Sequence, residues 1–208
     1  MMNRPDSTTG HDYPGRADAW LRACFAQRTT ATGALLAVHL LWLLSAGRPW
    51  GCIGGDTFAW QPGSGIAHNS QHLADWYALL HAGFGIGLAW ALRTLRPLWQ
   101  RRDAGLVALA CSTVWEVVEN TPFVISLLDN TTNMAPDYSG DSVVNSLADT
   151  GWVLLGFWLA WRMPGRWALA VIVLLELTVS LAIADGWVLT AFRLLAGLLG
   201  RDAVALVD

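Results

Sequence analysis

The sequence predicts an all-α, polytopic transmembrane bundle of about five spans, followed by a short interfacial helix at the C-terminus. Three observations predict it. The chain is 54% hydrophobic and 14% charged, against about 25% charged residues in soluble domains. Its apolar residues fall in five blocks, each near the roughly 20 residues that cross about 30 Å of hydrocarbon as a helix. Its arginines alternate between rich and poor polar segments, as alternating cytoplasmic and external loops require.

Residues 1–28 are polar, without sustained periodicity, and read as a cytoplasmic tail with a short interfacial helix around Trp20–Ala26. Residues 29–208 read as one membrane domain. Its spans are expected at about 30–46, 76–95, 104–121, 143–161 and 167–184. The third is the most polar at one end and stops before Pro122. The last run, Trp187–Leu199, contains Arg193 and is too short for a sixth crossing, so it reads as an interfacial or packed helix. The loops at 47–75 and 122–141 carry Gly and Pro that favour turns. Within the second span, Gly83 and Gly87 have the spacing that lets another helix approach closely.

Orientation follows from arginine, since the 13 basic residues are all Arg. The tail has Arg4, Arg16, Arg22 and Arg28, the first loop only Arg48, and the second loop Arg93, Arg96, Arg101 and Arg102. The third loop has none and the fourth has Arg162 and Arg166. This places the N-terminus in the cytoplasm, the protein in the inner membrane, and both long loops outside. Of the 13 Trp, Trp50, Trp60 and Trp76 flank the spans on one side, and Trp99, Trp161 and Trp167 on the other. Amphipathic rings favour those interfacial depths. A net charge of −3 excludes a basic nucleic-acid surface. Cys24, Cys52 and Cys111 form no CxxC pair, which argues against a disulfide or thiolate metal site. The first apolar run lacks a small-x-small cleavage site, which argues against a cleavable signal peptide.

Ionisable groups at membrane depth are costly unless paired or hydrated, and this chain has several. His72 and Asp75 precede the second span, and His81 lies within it. Glu116, Glu119 and Asn120 fall at i, i+3 and i+4 on one face of the third. Asp141, Asn145 and Asp149 form a stripe entering the fourth. Glu176 lies near the middle of the fifth span, where a pairing with His39 of the first is expected. Singly, each has a structural reading. Asp75 and Asp141 can cap helices, Asn145 can join helices, and Glu116 can be a buried neutral acid. Together they place imidazole and carboxylates at one outward depth, a ligand set for a divalent cation such as Zn, Mn or Mg.

The strings Asn69-Ser-Gln-His72, Asp75-Trp-Tyr, Trp115-Glu116, Glu119-Asn-Thr-Pro-Phe123 and Gly140-Asp-Ser-Val-Val-Asn145-Ser resemble a bacterial family of multi-pass inner-membrane proteins known as a domain of unknown function. The likeness covers about Gly47–Asp185 and implies membrane localisation without a particular activity. The family tends to carry two cysteines early in the first outer loop, and this chain keeps Cys52 alone. A fainter resemblance is to VanZ-like membrane proteins.

Three functions compete. The first is an outward-facing metal- or carboxylate-dependent hydrolase or transferase acting on a lipid or lipid-linked envelope substrate. Glu116 or Asp149 would be the general base, with Asn120 and Asn145 orienting substrate. His72, Asp75, His81, Glu119 and Asp141 would hold the metal. The second is a non-enzymatic scaffold or accessory subunit, its polar groups serving as helix glue. The third is a small proton- or cation-coupled transporter, against which the apolar inner halves of the spans argue. Membrane lipids are the expected partners in each case.

Overall fold

A helix that is apolar on all sides either lies inside a large protein or faces lipid, and this chain has such helices with too little protein to cover them. The computed structural model describes residues 23–52, 55, 58–61, 68–129 and 138–198. Among them every regular element is helical. Residues 23–26 form a helical turn, and the rest of the expected tail, 1–22, lies outside the described residues. The longer elements are α1 (Arg28–Ser45), α2 (Trp76–Leu95), α3 (Arg101–Glu119), α4 (Pro122–Asp129), α5 (Val143–Ala160), α6 (Gly165–Ile183) and α7 (Trp187–Leu198).

Three of these, α2, α5 and α6, are long and apolar enough to cross a membrane. In α6 few of the apolar residues are buried, and Leu169, Val173, Leu174, Leu177 and Leu181 stand exposed. Hydrocarbon, not water, is the solvent such a face suits. α1 also exposes Val38 and Leu41, but Arg28 and three threonines dilute its first turns. α3 carries Arg101, Arg102, Asp103, Glu116 and Glu119, too many charges for a purely apolar span. α7, at 12 residues, is too short to cross.

α2 packs most extensively on α5 and then on α6, while α3 packs on α1 and α5. The close backbone approach falls at Gly85 and Gly156. A Cβ at Gly85 would run into the Val153 carbonyl, and one at Gly156 into the Ala82 carbonyl. Gly83 and Gly87, the pair expected from spacing, do less. Gly83 faces the Trp187 ring, and a Cβ at Gly87 would meet only Ile172 at 3.8 Å.

The chain reverses so that the start of α2, the end of α3, the start of α5 and the end of α6 share one end of the bundle. The opposite end is filled by Ile86, Ala89, Ala104, Ala108, Phe157, Ala160 and Ala168. Arginines border that end. Arg93 donates to the Met163 carbonyl at 2.8 Å, Arg28 pairs with Asp103, and Arg101 lies 4.0 Å over the Trp158 ring. The short helices α4 and α7 pack on each other. Glu176 and His39 do not pair. Glu176 instead accepts the amides of Trp187 and Val188, both at 3.0 Å, and so caps α7.

Candidate functional site

The site is assembled from helix ends, and local chemistry sets each end. Asp75 caps α2 by accepting the Tyr77 amide at 2.8 Å. α3 stops at Glu119 because Pro122 disfavours helix just before itself. Ser142, not Asp141, caps α5, with its hydroxyl accepting the Asn145 amide at 3.1 Å. The remaining α5 first-turn amides are satisfied by the loop between α1 and α2. Val143 donates to Pro49 at 2.8 Å, Val144 to Trp50 at 3.1 Å, and Ser142 to Ser70 at 3.0 Å. Thus both ends of that loop dock on the start of α5.

His81, Glu116 and Asp149 meet between these ends. His81 Nδ1 lies 3.7 Å from Glu116 Oε1, and its Nε2 lies 3.8 Å from Asp149 Oδ2. Ligand atoms of His81, Glu116 and Glu119 all lie within 4.8 Å of one another. Behind them, Ser146 donates to Glu116 Oε2 at 2.7 Å, and its hydroxyl contacts His39 Nε2 at 2.8 Å. A line of polar contacts therefore runs from α1 through α5 and α3 to α2. Buried oxygens of three acids, Glu116 Oε1, Glu119 Oε2 and Asp149 Oδ1, have no hydrogen-bond partner among the described residues. Unsatisfied buried acceptors are rare and costly, and three of them on acids gathered around one imidazole fit a cation or shared protons.

The other residues expected at the site serve its frame. Asn120 donates to Asp141 Oδ2 at 2.7 Å and accepts the Asp141 amide at 2.9 Å. Tyr138 donates to Asp141 Oδ1 at 2.9 Å. Arg48 holds the Asp141 and Ser139 carbonyls at 2.7 and 2.6 Å. Burial raises the pKa of Asp141, while the Asn120 and Tyr138 hydrogen bonds oppose it. Burial pushes Asp75 up to about 6, with the Tyr77 amide working the other way. Burial likewise raises the Tyr138 phenol, reinforced by the nearby Asp141 charge. Asn145 donates to the His72 carbonyl at 2.9 Å. The five residues expected as metal ligands therefore separate. His81 and Glu119 share the acid centre, where Glu116 joins them. Asp75 caps α2, Asp141 is tied to Asn120, and His72 lies with Cys52 and His68. Asp137, next to Tyr138, lies outside the described residues.

A cavity of about 540 Å³ opens beside this centre. His81, Glu119, Asp141 and Asp149 line it, whereas Glu116, Asn120 and Asn145 do not. Along α2 its wall continues through Leu80, Phe84, Gly87, Leu88 and Ala91, with Ile172 of α6 opposite. From Tyr77 to Ala91 that face extends about 21 Å at 1.5 Å per residue. The cavity is thus acidic at one end and apolar along its length. Tyr77, Asp185 and Trp187 also line it, and the Tyr77 hydroxyl donates to Asp185 at 2.8 Å. Sequence reasoning missed these three. It also missed Ser146, although Ser142, Ser146 and Asp149 share a helical spacing that could have flagged it.

Comparison with known proteins agrees with the first resemblance read from the sequence. The family described as "Protein of unknown function (DUF2585)" matches residues 43–200. A UPF0314 protein of Brucella anthropi is 36% identical over 165 residues, covering 78% of this chain and 82% of the relative. One of Rhizobium meliloti is 34% identical, covering 88% of each chain. One of Paracoccus denitrificans is 33% identical, covering 84% of this chain and 91% of the relative. These matches do not carry the VanZ-like resemblance. No solved structure matches.

Proposed function

The chain belongs to the DUF2585 family of bacterial proteins, and from that premise we propose that it is a multi-pass inner-membrane enzyme. In this reading α1, α2, α3, α5 and α6 cross the bilayer, with the N-terminus in the cytoplasm. The arginine-bordered end then faces inward, by the rule that basic residues stay cytoplasmic. The acid centre faces outward.

Its substrate would be an amphiphile, a lipid or lipid-linked envelope precursor, hydrolysed or transferred at its polar head. The observation that carries this is the cavity itself. Its head holds His81, Glu119 and Asp149, and its stem is an apolar wall about one leaflet deep. An acyl or prenyl chain fits the stem, and the head places the polar group against the acids.

His81, Glu116 and Glu119 would hold a divalent cation, since their donor atoms lie within 4.8 Å of one another and both glutamates have a buried oxygen without a hydrogen-bond partner among the described residues. Such an ion supplies Lewis acidity and an activated water. Asp149 faces the second imidazole nitrogen, the position from which a carboxylate fixes a liganding histidine. It also lines the cavity, where it can take a proton from an attacking water or hydroxyl. Ser146 holds Glu116 in place from behind.

A scaffold role has one specific observation in its favour. Asn120 and Asn145, expected to orient substrate, spend their amides on Asp141 and His72. A transporter is disfavoured by the apolar core that fills the arginine end among the described residues.

The test uses detergent-purified full-length protein with a total envelope-lipid extract and Mg, Mn or Zn in turn, read by mass spectrometry. Wild type should shift the mass of at least one lipid class, and Asp149→Asn should slow that conversion by about 10²–10⁴-fold. Identical lipid profiles for wild type and variant with every metal would overturn the enzyme reading.

A further inference from the structure

Cys52 ends the described stretch that follows α1, and His68 and His72 lie just ahead of α2. Folding brings the three together although they span the longest loop in the sequence. Cys52 Sγ is 3.3 Å from His68 Nδ1, and His68 Nδ1 is 3.1 Å from His72 Nε2. All three donor atoms lie within 4.8 Å of one another. His72 is 1% exposed and Cys52 8%.

These separations resemble a coordination polyhedron. With zinc bond lengths near 2.05 Å to nitrogen and 2.3 Å to sulfur, tetrahedral geometry puts two nitrogens roughly 3.3 Å apart and sulfur and nitrogen roughly 3.5 Å apart. A ring nitrogen offers one lone pair or one hydrogen, yet His68 Nδ1 faces both the thiol and His72 Nε2.

We propose that Cys52, His68 and His72 form a site for a zinc-class divalent metal ion, distinct from the acid centre. A thiolate with two imidazoles is a borderline-soft set that favours zinc over magnesium or calcium. Binding displaces the thiol proton. It also moves the ring proton of His72 onto Nδ1, which at present accepts the Phe58 amide at 3.2 Å. That neutral hydrogen bond is a small loss beside thiolate coordination.

The ion clamps the two ends of the α1–α2 loop where both already dock on the start of α5. Asn69 and Ser70, between the two histidines, line the cavity. The site therefore fixes one rim of the cavity, and it stands whether or not the acid centre is catalytic.

Cobalt(II) titration of chelator-treated, detergent-solubilised full-length protein tests the assignment. A thiolate-to-cobalt charge-transfer band should grow in and saturate at one equivalent, and zinc should bleach it. Cys52→Ser and His68→Ala should abolish the band, whereas Cys111→Ala and Glu116→Gln should keep it. A wild type without the band, a Cys52→Ser variant that retains it, or a Glu116→Gln variant that loses it would each overturn the proposal. If His68→Ala does not fold, the wild-type and Cys52→Ser arms still decide.

Discussion

His81 Nδ1 lies 3.7 Å from Glu116 Oε1, a contact between α2 and α3 at a point where both helices also pack on α5. α5 supplies Asp149 to the far side of the ring and Ser146 to the far side of the glutamate. Each ring nitrogen therefore faces a carboxylate oxygen beyond hydrogen-bond distance, a gap that suits a cation or shared proton, and the glutamate is held by a hydrogen bond at Oε2. A group fixed this way has lost the rotamer freedom that would blur catalytic geometry.

Asp149→Asn separates a working acid from a structural one. A buried carboxylate close to other acids is a cost the fold carries, and active-site polarity is often gained at the expense of stability. The amide should therefore leave the thermal midpoint in detergent unchanged or raise it by a few degrees, while metal-dependent lipid conversion falls. A variant that melts well below wild type would assign Asp149 to helix glue.

Ser146→Ala should do the opposite. Its hydroxyl serves Glu116 and contacts His39, and all three side chains are fully buried. Removing it strands two buried polar atoms, at about 1–3 kcal/mol. Denaturant or thermal melting should show that loss. A double-mutant cycle with His39→Ala should give coupling above about 0.5 kcal/mol, and additive effects would mean that the contact is not energetically real.

What was legible in the sequence follows from what one helix can specify. The faces of α3 and α5 were legible because Glu116, Glu119, Asp141 and Asp149 obey helical spacing by themselves. The cap at Asp75 was legible because capping is local. Pairings that depend on how helices cross were not. Glu176 and His39 both lie mid-helix, and depth alone suggested a pair. The turn at Ala184, with its left-handed φ of 50°, instead brings the amides of α7 back onto Glu176. His72 likewise parts from His81 because the loop end folds toward Cys52, a contact that no local pattern encodes.

Asp75 gives a pH signature outside the membrane-spanning helices. Its carboxyl titrates near 3.8 when unfolded and near 6 when folded. Between those values only the folded state holds the proton, so this group makes stability fall as pH rises from about 4 through 6. The full shift corresponds to on the order of 3 kcal/mol at most. Asp75→Asn keeps an efficient cap and removes the titration. Its thermal midpoint should vary less between pH 4 and 7 than that of wild type. Parallel profiles would assign the effect to another group.

The α2–α5 crossing supplies the sharpest packing test, since two glycines of one helix should respond differently to the same added methyl. Gly85→Ala places a Cβ against the Val153 carbonyl and the Phe157 amide, both backbone and unable to rotate away. The helices must separate, at about 1–3 kcal/mol or more by analogy with other overpacked cores. Small residues matter most where membrane helices touch backbone to backbone. Gly87→Ala meets only Ile172 Cδ1 at 3.8 Å, an ordinary contact, and should be neutral or stabilising because alanine favours helix over glycine. Thermal melting of the two variants in one detergent is sufficient. Equal loss at both positions would place the close approach at the 83–87 spacing after all, and equal tolerance would mean that α2 and α5 do not meet at Gly85.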